Sequence, residues 1–258
     1  HYNKEYIMGS MNDTHQEKSL IRQFHTPLLK GTLVKRYKRF FADVTLDNGE
    51  LITAHNPNTG KMTGCAETGF TAWVQPNNDP KRKLKYTLEM VQNENEEWIG
   101  VNTHRANSIV KDALHRRLIN EIGDIASISP EVKYGEENSK IDFLIDHTDG
   151  TQTYLEVKSV TLKDPTSNRG YFPDTVSTRA HKHCRELTQL KQSTNARAIM
   201  LYLVQHSGIE SVSPATHIDP KYTEYVKMAK EVGVEFIAYN CIINEENIHI
   251  NQPLIFTA

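Results

Sequence analysis

Two short strand-like runs, separated by a tight turn, carry ionisable residues where a core strand would carry none. The runs are Ile141–Ile145 and Tyr154–Val160, and they hold Asp142, Glu156 and Lys158 among apolar neighbours. Burying one carboxylate is costly, and two facing carboxylates repel each other unless a cation or a shared proton lies between them. We therefore interpret these residues as a candidate functional site.

The alternation of side chains predicts which residues of the two strands face the core. Ile141, Phe143 and Ile145 share one face of the first strand, and Leu155 and Val157 share one face of the second. If the strands form an antiparallel hairpin, these apolar faces must coincide, because a slip of one residue would turn every side chain over.

The length of the turn sets the register of this hairpin. A two-residue turn at Asp149-Gly150 would mix the two faces, whereas a three-residue loop over residues 148–150 keeps them together and places Asp142 opposite Glu156. Gly150 then occupies the last position, where such loops require a left-handed residue. We therefore predict the three-residue loop, with the Cβ atoms of the two carboxylate residues roughly 5 Å apart.

This geometry suits a divalent cation. Mg²⁺ or Mn²⁺ takes oxygen ligands, which Asp142, Glu156 and the backbone carbonyl of Val157 could supply. Lys158 lies on the same face as Glu156, where it could activate a water and stabilise a phosphate in the transition state. The alternative is a solvated hairpin face with an incidental ion pair, since the Asp/Glu-x-Lys pattern also occurs at residues 79–81, 131–133 and 219–221.

Composition argues against several classes of protein. The 258 residues carry a formal net charge of −2, so the overall charge does not indicate a nucleic-acid partner. Three cysteines without a Cys-x-x-Cys spacing argue against a disulfide framework or a zinc finger. No apolar run is long enough to span a membrane and no signal peptide is visible, so we expect a cytoplasmic protein with no membrane partner.

The strand and helix patterns divide the chain into three parts. We interpret residues 1–23 as the remnant of an expression tag followed by a polar tail. Residues 24–102 show about five strands separated by turns, which predicts a small barrel. Residues 103–258 alternate helices with strands, which predicts a mixed α/β domain. The fold class is α/β with an all-β N-terminal part.

Two basic clusters in the barrel indicate nucleic acid as a partner, because small five-stranded barrels bind single strands with basic grooves and aromatic stacking. One cluster lies among aromatic residues in the first barrel strand, and the other lies at a barrel turn. Their residues are Lys35, Arg36, Lys38 and Arg39 in the first, and Lys81, Arg82 and Lys83 in the second. The alternative is a solvated surface.

A possible metal site at His181, His183 and Cys184 is rejected, because positions i and i+2 point to nearly opposite faces of a helix. Lys182 and His183 could still contact phosphate. Pro173-Asp174 is expected in a loop near the candidate site or at the start of this helix.

The Gly-containing loop over residues 56–64 could offer backbone N–H groups to a phosphate, but it is not a Walker motif. A tight loop that needs Gly for its conformation is the favoured interpretation.

Several motifs in order resemble the sugar fermentation stimulation protein (SfsA) family. They are Asn56-Pro-Asn-Thr-Gly-Lys-Met-Thr-Gly64, Pro80-Lys-Arg-Lys-Leu84, Gly100-Val-Asn-Thr103, Ser139-Lys-Ile-Asp-Phe-Leu144, Glu156-Val-Lys-Ser-Val-Thr-Leu162, Phe172-Pro-Asp174 and Lys182-His183. The resemblance runs from about Leu28 to the C-terminus. It implies an N-terminal OB-fold barrel, a C-terminal domain similar to the PD-(D/E)xK nuclease superfamily, and binding of single- or double-stranded DNA without sequence specificity.

Carried over residue by residue, the resemblance implies that Asp142, Glu156 and Lys158 match the nuclease-like catalytic triad. Asp112, on the first helix of the C-terminal domain, matches an acidic residue that could support the metal. Lys182 and His183 are further candidate supporting residues.

The sequence departs from the family pattern at three positions. Ile141 stands where the superfamily has Pro, His181 where we expect Gln, and Asn56 where we expect Cys.

Three hypotheses follow. The first is a Mg²⁺- or Mn²⁺-dependent DNA nuclease, a phosphodiesterase. The second is a non-enzymatic DNA-binding regulator of sugar (maltose) metabolism with an idle nuclease core. The third is a small-molecule site near the loop over residues 56–64. The sequence leaves the choice open, as it does the oligomeric state, for which a homodimer is one alternative.

Overall fold

The computed structural model of the protein describes Phe24 and residues 26–258. The predictions for residues 1–23 lie outside the described residues. The described strands form two sheets, and three α-helices pack on the larger one.

Five strands close into an N-terminal barrel. They are β1 (Leu29–Tyr37), β2 (Phe41–Leu46), β3 (Leu51–His55), β4 (Thr71–Pro76) and β5 (Tyr86–Gln92). The strands run in the order β3-β2-β1-β4-β5, and a parallel bridge between His55 and Thr87 closes the circle. A short strand, β6 (Trp98–Gly100), extends the sheet beyond β5. The prediction of a five-stranded barrel is confirmed.

The basic segment that was predicted to lie in one barrel strand is interrupted by a hairpin turn. Tyr37 of β1 pairs with Phe41 of β2, and residues 38–40 form the loop between them. Lys38 and Arg39 have φ values of 50° and 64°, in the left-handed region that non-glycine residues seldom adopt. The turn therefore presents two basic side chains at an exposed tip.

Nine strands form the second, mixed sheet. They are β7 (Ser127–Tyr134), β8 (Ser139–Asp146), β9 (Gln152–Val160), β10 (Leu162–Lys163), β11 (Arg169–Phe172), β12 (Arg197–Val204), β13 (Ser211–Pro214), β14 (Glu235–Ile243) and β15 (Ile248–Phe256). Their order is β10-β11-β13-β15-β14-β12-β9-β8-β7, with β9, β12 and β14 parallel and β7, β8 and β9 antiparallel. The predicted mixed α/β domain is confirmed.

Helices cover both faces of this sheet. Helix α1 (Ala106–His115) packs on one face in a hydrophobic cluster that also contains Trp73 and Met90 of the barrel. Helices α2 (Thr178–Ser193) and α3 (Pro220–Glu231) pack on the other face. Because one continuous cluster includes residues of the barrel, of α1 and of the sheet, apolar burial holds the two parts of the chain together. Within the described range, no helix is long and apolar enough to cross a membrane.

The β8–β9 hairpin has the predicted register. Phe143 pairs with Leu155, and residues 148–150 form a three-residue loop that the hydrogen bond from the Gly150 N–H to the His147 carbonyl closes. Gly150 has a φ of 84°, which a residue with a Cβ would adopt only under strain. The register and the role of Gly150 are therefore confirmed for the paired residues, which end at Phe143 and Leu155 and do not include the predicted pair of Asp142 and Glu156.

The alternation of side chains breaks at Asp142. Phe143 packs with α1, but Ile141 packs in the cluster around α2, so the prediction that Ile141 shares the face of Phe143 is wrong. The paired ladder between β8 and β9 stops at residue 143, and the Asp142 carboxylate accepts the hydrogen bond of the Val157 N–H. A side-chain acceptor thus replaces a strand partner where the two strands diverge.

Candidate nuclease-like site

Asp142 lies at the point where β8 and β9 separate. Its Oδ2 accepts a hydrogen bond of 2.8 Å from the Val157 N–H, and its Oδ1 accepts one of 2.9 Å from Nδ2 of Asn107 in the first turn of α1. Burial, and then the negative charge of Glu156, raises the pKa of Asp142 above its ordinary value. A nearby cation would relieve both effects.

Glu156 points from β9 towards α2 and is 3% exposed. Its Oε1 lies 3.1 Å from Nζ of Lys158 and 3.0 Å from Nδ1 of His183. Burial alone would raise the pKa of Glu156, but its contacts with His183 and Lys158 hold that pKa below its ordinary value. The two carboxyl groups are therefore shifted in opposite directions, as in acid–base pairs of enzymes.

The second oxygen of Glu156 has no partner. Oε2 is buried and makes no hydrogen bond within the described part of the chain. An unsatisfied buried oxygen costs roughly 1–3 kcal/mol, and more when it is charged. A cation or a hydrogen-bond donor placed beside this atom would satisfy it.

The Nδ1 atom of His183 contacts both Lys158 and Glu156. Nζ of Lys158 lies 2.6 Å from Nδ1 of His183, and the same nitrogen contacts Glu156. Because Nδ1 holds at most one proton, it either donates to the Glu156 carboxylate or accepts from the Lys158 ammonium. The three side chains therefore form one connected set of polar contacts.

Glu186, on α2, is a second buried carboxylate, and its charge acts on Tyr134 as that of Glu156 does. Glu186 follows His183 by three residues on α2, and its Oε1 accepts a hydrogen bond of 2.8 Å from Oγ of Ser139. Its Oε2 and the hydroxyl of Tyr134 are buried without a hydrogen-bond partner among the described residues. Burial, and then the charge of Glu156, raises the pKa of Tyr134. Sequence reasoning missed Glu186, although its spacing from His183 places both on one face of a helix.

The position next to Asp142 belongs to Asn107, and not to the predicted Asp112. Asp112 forms an ion pair with Arg116, with 2.9 Å between Oδ1 and Nε. Asn107 and Asp112 are five residues apart on α1, which turns their side chains about 140° from each other around the helix axis. Since Asn107 faces Asp142, the helix directs Asp112 elsewhere.

The neighbouring residues of α2 have separate partners. Nε2 of His181 lies 2.8 Å from both carboxylate oxygens of Asp219, whereas His183 contacts Glu156. Nζ of Lys182 lies 4.0 Å from Oε1 of Glu186, which places Lys182 near the second carboxylate. The two histidines thus contact different carboxylates, as expected for residues that cannot hold one ion together.

The ligand chemistry of the site fits a divalent cation. Across residues 26–258 and Phe24, no group of three or more His, Cys, Asp or Glu side chains is arranged to hold a metal ion. Asp142 and Glu156 nevertheless offer carboxylate oxygens, one of them unpartnered, and oxygen is the donor that Mg²⁺ and Mn²⁺ prefer.

The predicted DNA-binding residues differ in their surroundings. Arg36 is half-buried, and its guanidinium donates hydrogen bonds of 3.1, 2.7 and 3.4 Å to the carbonyl oxygens of residues 58, 60 and 61. Arg82 donates to Oγ1 of Thr87 at 2.9 Å. Nζ of Lys35 lies 4.9 Å from the centroid of the Tyr37 ring. These contacts leave Arg36 little freedom to bind a phosphate.

The other four predicted basic residues are exposed. They are Lys38, Arg39, Lys81 and Lys83. Phe40, which is 49% exposed, follows the first two at the β1–β2 tip.

Comparison with known proteins covers both parts of the chain. Residues 34–101 match the SfsA N-terminal OB domain, and residues 104–247 match the sugar fermentation stimulation protein RE domain. A sugar fermentation stimulation protein homolog from Pseudoalteromonas atlantica is 52% identical over 232 residues, which are 90% of this chain and 98% of the relative. A homolog from Alteromonas mediterranea is 47% identical over 236 residues, with the same coverage.

A solved structure shares the fold. SfsA from Pyrococcus furiosus, in complex with Ca²⁺, superposes with a TM-score of 0.80 at 23% identity and covers 92% of this chain and 98% of its own. The barrel is thus an OB domain, followed by a mixed α/β domain. Because both domains match in chain order and the relatives cover nearly the whole chain, the protein belongs to the sugar fermentation stimulation protein family.

Proposed function

We propose that the protein binds DNA and hydrolyses phosphodiester bonds at Asp142, Glu156 and Lys158 with the help of Mg²⁺ or Mn²⁺. The observation that carries this proposal is the buried Oε2 of Glu156, which has no partner in the described structure and lies beside a carboxyl group of raised pKa. Buried polar atoms are normally satisfied, so an unsatisfied one next to a second carboxylate favours a bound cation.

Each side chain has a role that follows from its contacts. Asp142, Glu156 and the Val157 carbonyl would hold the cation, which when bound would neutralise phosphate charge and activate a water. Asn107 fixes the orientation of the Asp142 carboxylate. The ammonium of Lys158 would stabilise the charge that develops on the phosphate. The Pyrococcus furiosus relative was solved with Ca²⁺, which supports a divalent cation in this family.

The N-terminal barrel would supply most of the DNA affinity. OB-fold barrels bind single strands through basic grooves and aromatic stacking. The exposed tip with Lys38, Arg39 and Phe40 and the exposed Lys81 and Lys83 provide both features. We propose contacts to the DNA backbone, which carry no sequence information.

The second candidate is a DNA-binding regulator of sugar (maltose) metabolism whose nuclease-like site is idle. Two observations favour it. Asn107, an amide, stands beside Asp142 where a third carboxylate would strengthen a metal site. In addition, Lys158, His183 and Glu156 contact one another, so that their polar groups have partners without a substrate.

Cleavage assays separate the two candidates. Purified protein is incubated with labelled single- and double-stranded DNA in Mn²⁺, in Mg²⁺ and in chelator, alongside Glu156→Gln and the surface control Glu245→Gln. We expect cleavage by the wild type and the control with metal, and binding without cleavage by Glu156→Gln. If no variant cleaves while all bind with strong salt dependence, the idle-site regulator is the better description.

A further inference from the structure

A polar groove lies at the junction of the barrel and the α/β domain, and we call it the junction groove. Its first cavity, of about 230 Å³, lies between the loop at residues 58–60 and the segment that carries Tyr171 and Asp174. Its second cavity, of about 300 Å³, lies on the other side of the same two residues. Because Tyr171 and Asp174 line both cavities, the two form one continuous feature.

The loop over residues 58–60 is held in place from its outer side. The Arg36 guanidinium donates hydrogen bonds to the carbonyl oxygens of residues 58, 60 and 61. Nδ2 of Asn56 donates to the carbonyl oxygens of residues 39 and 58, and the Thr103 hydroxyl donates to that of Pro57. A Cβ at Gly60 would lie 3.1 Å from Oδ2 of Asp174, so the loop and the opposite segment approach closely there. The cavity is therefore preformed, as ligand sites usually are.

The two cavities differ in charge. Asp174 lines both cavities and makes no hydrogen bond or ion pair with any described residue, so that in the first cavity its carboxylate can accept a hydrogen bond from a ligand. Hydroxyl groups of Thr59, Ser159 and Thr161 also line that cavity, so it suits an uncharged group that forms hydrogen bonds.

The second cavity is lined by charged groups of both signs. Lys61 and Lys163 line it from opposite domains, and Asp164 and Asp174 line it as well. The Asp164 carboxylate already accepts hydrogen bonds from the Thr166 N–H and the Tyr171 hydroxyl. Lys61 and Lys163 are therefore the groups of this cavity that could hold an anion.

We propose that the junction groove binds one unpaired nucleotide of a DNA strand, with its base and sugar in the first cavity and its phosphate between Lys61 and Lys163. Asp174 accepts a hydrogen bond from an amino group of the base, and the Tyr171 ring lies against the nucleotide. A base inside a duplex cannot enter, because it is paired and stacked. This proposal rests on the DNA binding proposed above.

The groove lies along the strand that carries the candidate catalytic residues. Thr161 follows Lys158 by three residues, which correspond to about 10 Å of extended chain. The Ser159 side chain, which lines the groove, leaves this strand on the face opposite Lys158, so the groove and the candidate catalytic residues lie on different faces of the strand. The groove would select DNA that has a single-stranded segment or end.

The test measures binding by fluorescence anisotropy in chelator, so that no DNA is cut. The probes are a labelled single strand of about 15 nucleotides, a length within reach of one OB fold, and the matching duplex. The variants are Lys61→Ala/Lys163→Ala, the cavity-filling Thr59→Trp, and the control Lys221→Ala/Lys230→Ala on the exposed side of α3. Thermal unfolding checks that each variant is folded.

We expect the groove variants to lose single-strand affinity about tenfold, since one stacked base or two phosphate contacts contribute about this much. The double lysine variant should flatten the dependence of log affinity on log salt by about 1.4, at about 0.7 for each single-strand phosphate. Duplex affinity and the α3 control should change less than about twofold.

Two outcomes would overturn the proposal, and they differ in scope. The proposed groove is wrong, and the proposed function still stands, if the wild type binds DNA and both groove variants keep its single-strand affinity. The same conclusion holds if the groove variants lose affinity equally for the single strand and for the duplex. Absence of wild-type binding to either DNA removes the proposed function and the groove together.

Discussion

Nδ1 of His183 lies 3.0 Å from Oε1 of Glu156, although the two residues belong to a helix and a strand that meet only through tertiary packing. The same nitrogen contacts Lys158. The docking of α2 on the sheet therefore fixes the geometry of the candidate catalytic carboxylate, and His183 acts as a positioning residue.

Replacing His183 should impair the site more than the fold. We expect His183→Ala to lower metal-dependent cleavage or Mn²⁺ affinity by about 10- to 100-fold, because residues that orient a metal ligand have effects of this size. His183→Asn, which keeps a donor near Glu156, should recover part of the loss. Single-turnover cleavage and calorimetric Mn²⁺ titration measure the effect. Equal values for wild type and His183→Ala would show that His183 does not position Glu156.

Replacing Asn107 with Asp should make the stability of the protein depend on the presence of a divalent metal ion. The new carboxylate would face Asp142 at hydrogen-bond distance, and like charges so close repel each other. We expect Asn107→Asp to be less stable than wild type in chelator, by about 1–3 kcal/mol, and to recover in excess Mg²⁺ or Mn²⁺. Melting temperatures with and without metal measure this. A loss that metal leaves unchanged would argue against a cation beside Asp142, and Asn107→Ala controls for the lost hydrogen bond.

The Asp219 carboxylate should make the free energy of unfolding depend on pH in the acid range. It is 1% exposed and accepts hydrogen bonds from the Ser177 N–H, from Nε2 of His181 and from the Tyr222 N–H, so it joins the starts of α2 and α3. Burial alone would raise the pKa of Asp219, but the hydrogen bonds from Ser177 and His181 hold it below its ordinary value of 3.8. A carboxyl group of lowered pKa stabilises the fold above its unfolded pKa, and this contribution is lost as the pH falls through the folded value.

We therefore expect Asp219→Asn to reduce the free energy of unfolding by about 1–3 kcal/mol at neutral pH. The difference from wild type should shrink when the pH falls below 3.8. Urea unfolding at several pH values, with Glu245→Gln as the control, measures it. A difference that stays constant down to pH values of about 2 would show that the Asp219 charge does not contribute.

Substitution of Arg36 should affect the stability of the protein, whereas substitution of the neighbouring basic residues should affect DNA binding. Arg36→Ala removes three hydrogen bonds to the loop over residues 58–61 and should lower the melting temperature. Lys38→Ala/Arg39→Ala should leave the melting temperature nearly unchanged and flatten the salt dependence of DNA binding by about 1.4 to 1.8. An unchanged salt dependence in the double variant would place the DNA away from the β1–β2 tip.

The regular alternation of apolar and polar residues made much of the fold predictable from the sequence. The β8–β9 register followed from matching the apolar faces and from Gly150 at the end of a three-residue loop. Strands β11 and β13 are difficult to recognise in the sequence, because each has only four residues and they pair with each other across α2 and β12. Helix α1 ends at His115 although apolar residues at helical spacing continue to Ile122, because Arg117 adopts a φ of 60° and turns the chain.

The candidate site was only partly predictable. The pattern around Glu156 and Lys158 identified two residues that contact each other directly. The exchange of Asp112 for Asn107 could not be foreseen, since the direction in which α1 faces the sheet depends on tertiary packing. Glu186 and Tyr134 could not be recognised for another reason: each looks like an ordinary helix or strand residue in the sequence, and only the fold buries them.

The only two tryptophans of the chain, Trp73 of β4 and Trp98 of β6, lie with ring centroids 4.4 Å apart in the region where the barrel meets the sheet. The Trp98 N–H and carbonyl also bond to Ser207 of the second sheet's connecting segment. Intrinsic fluorescence of this protein therefore originates from the seam between its two domains. Any loosening of that seam, by heat, denaturant or DNA, should change the emission before the rest of either domain unfolds.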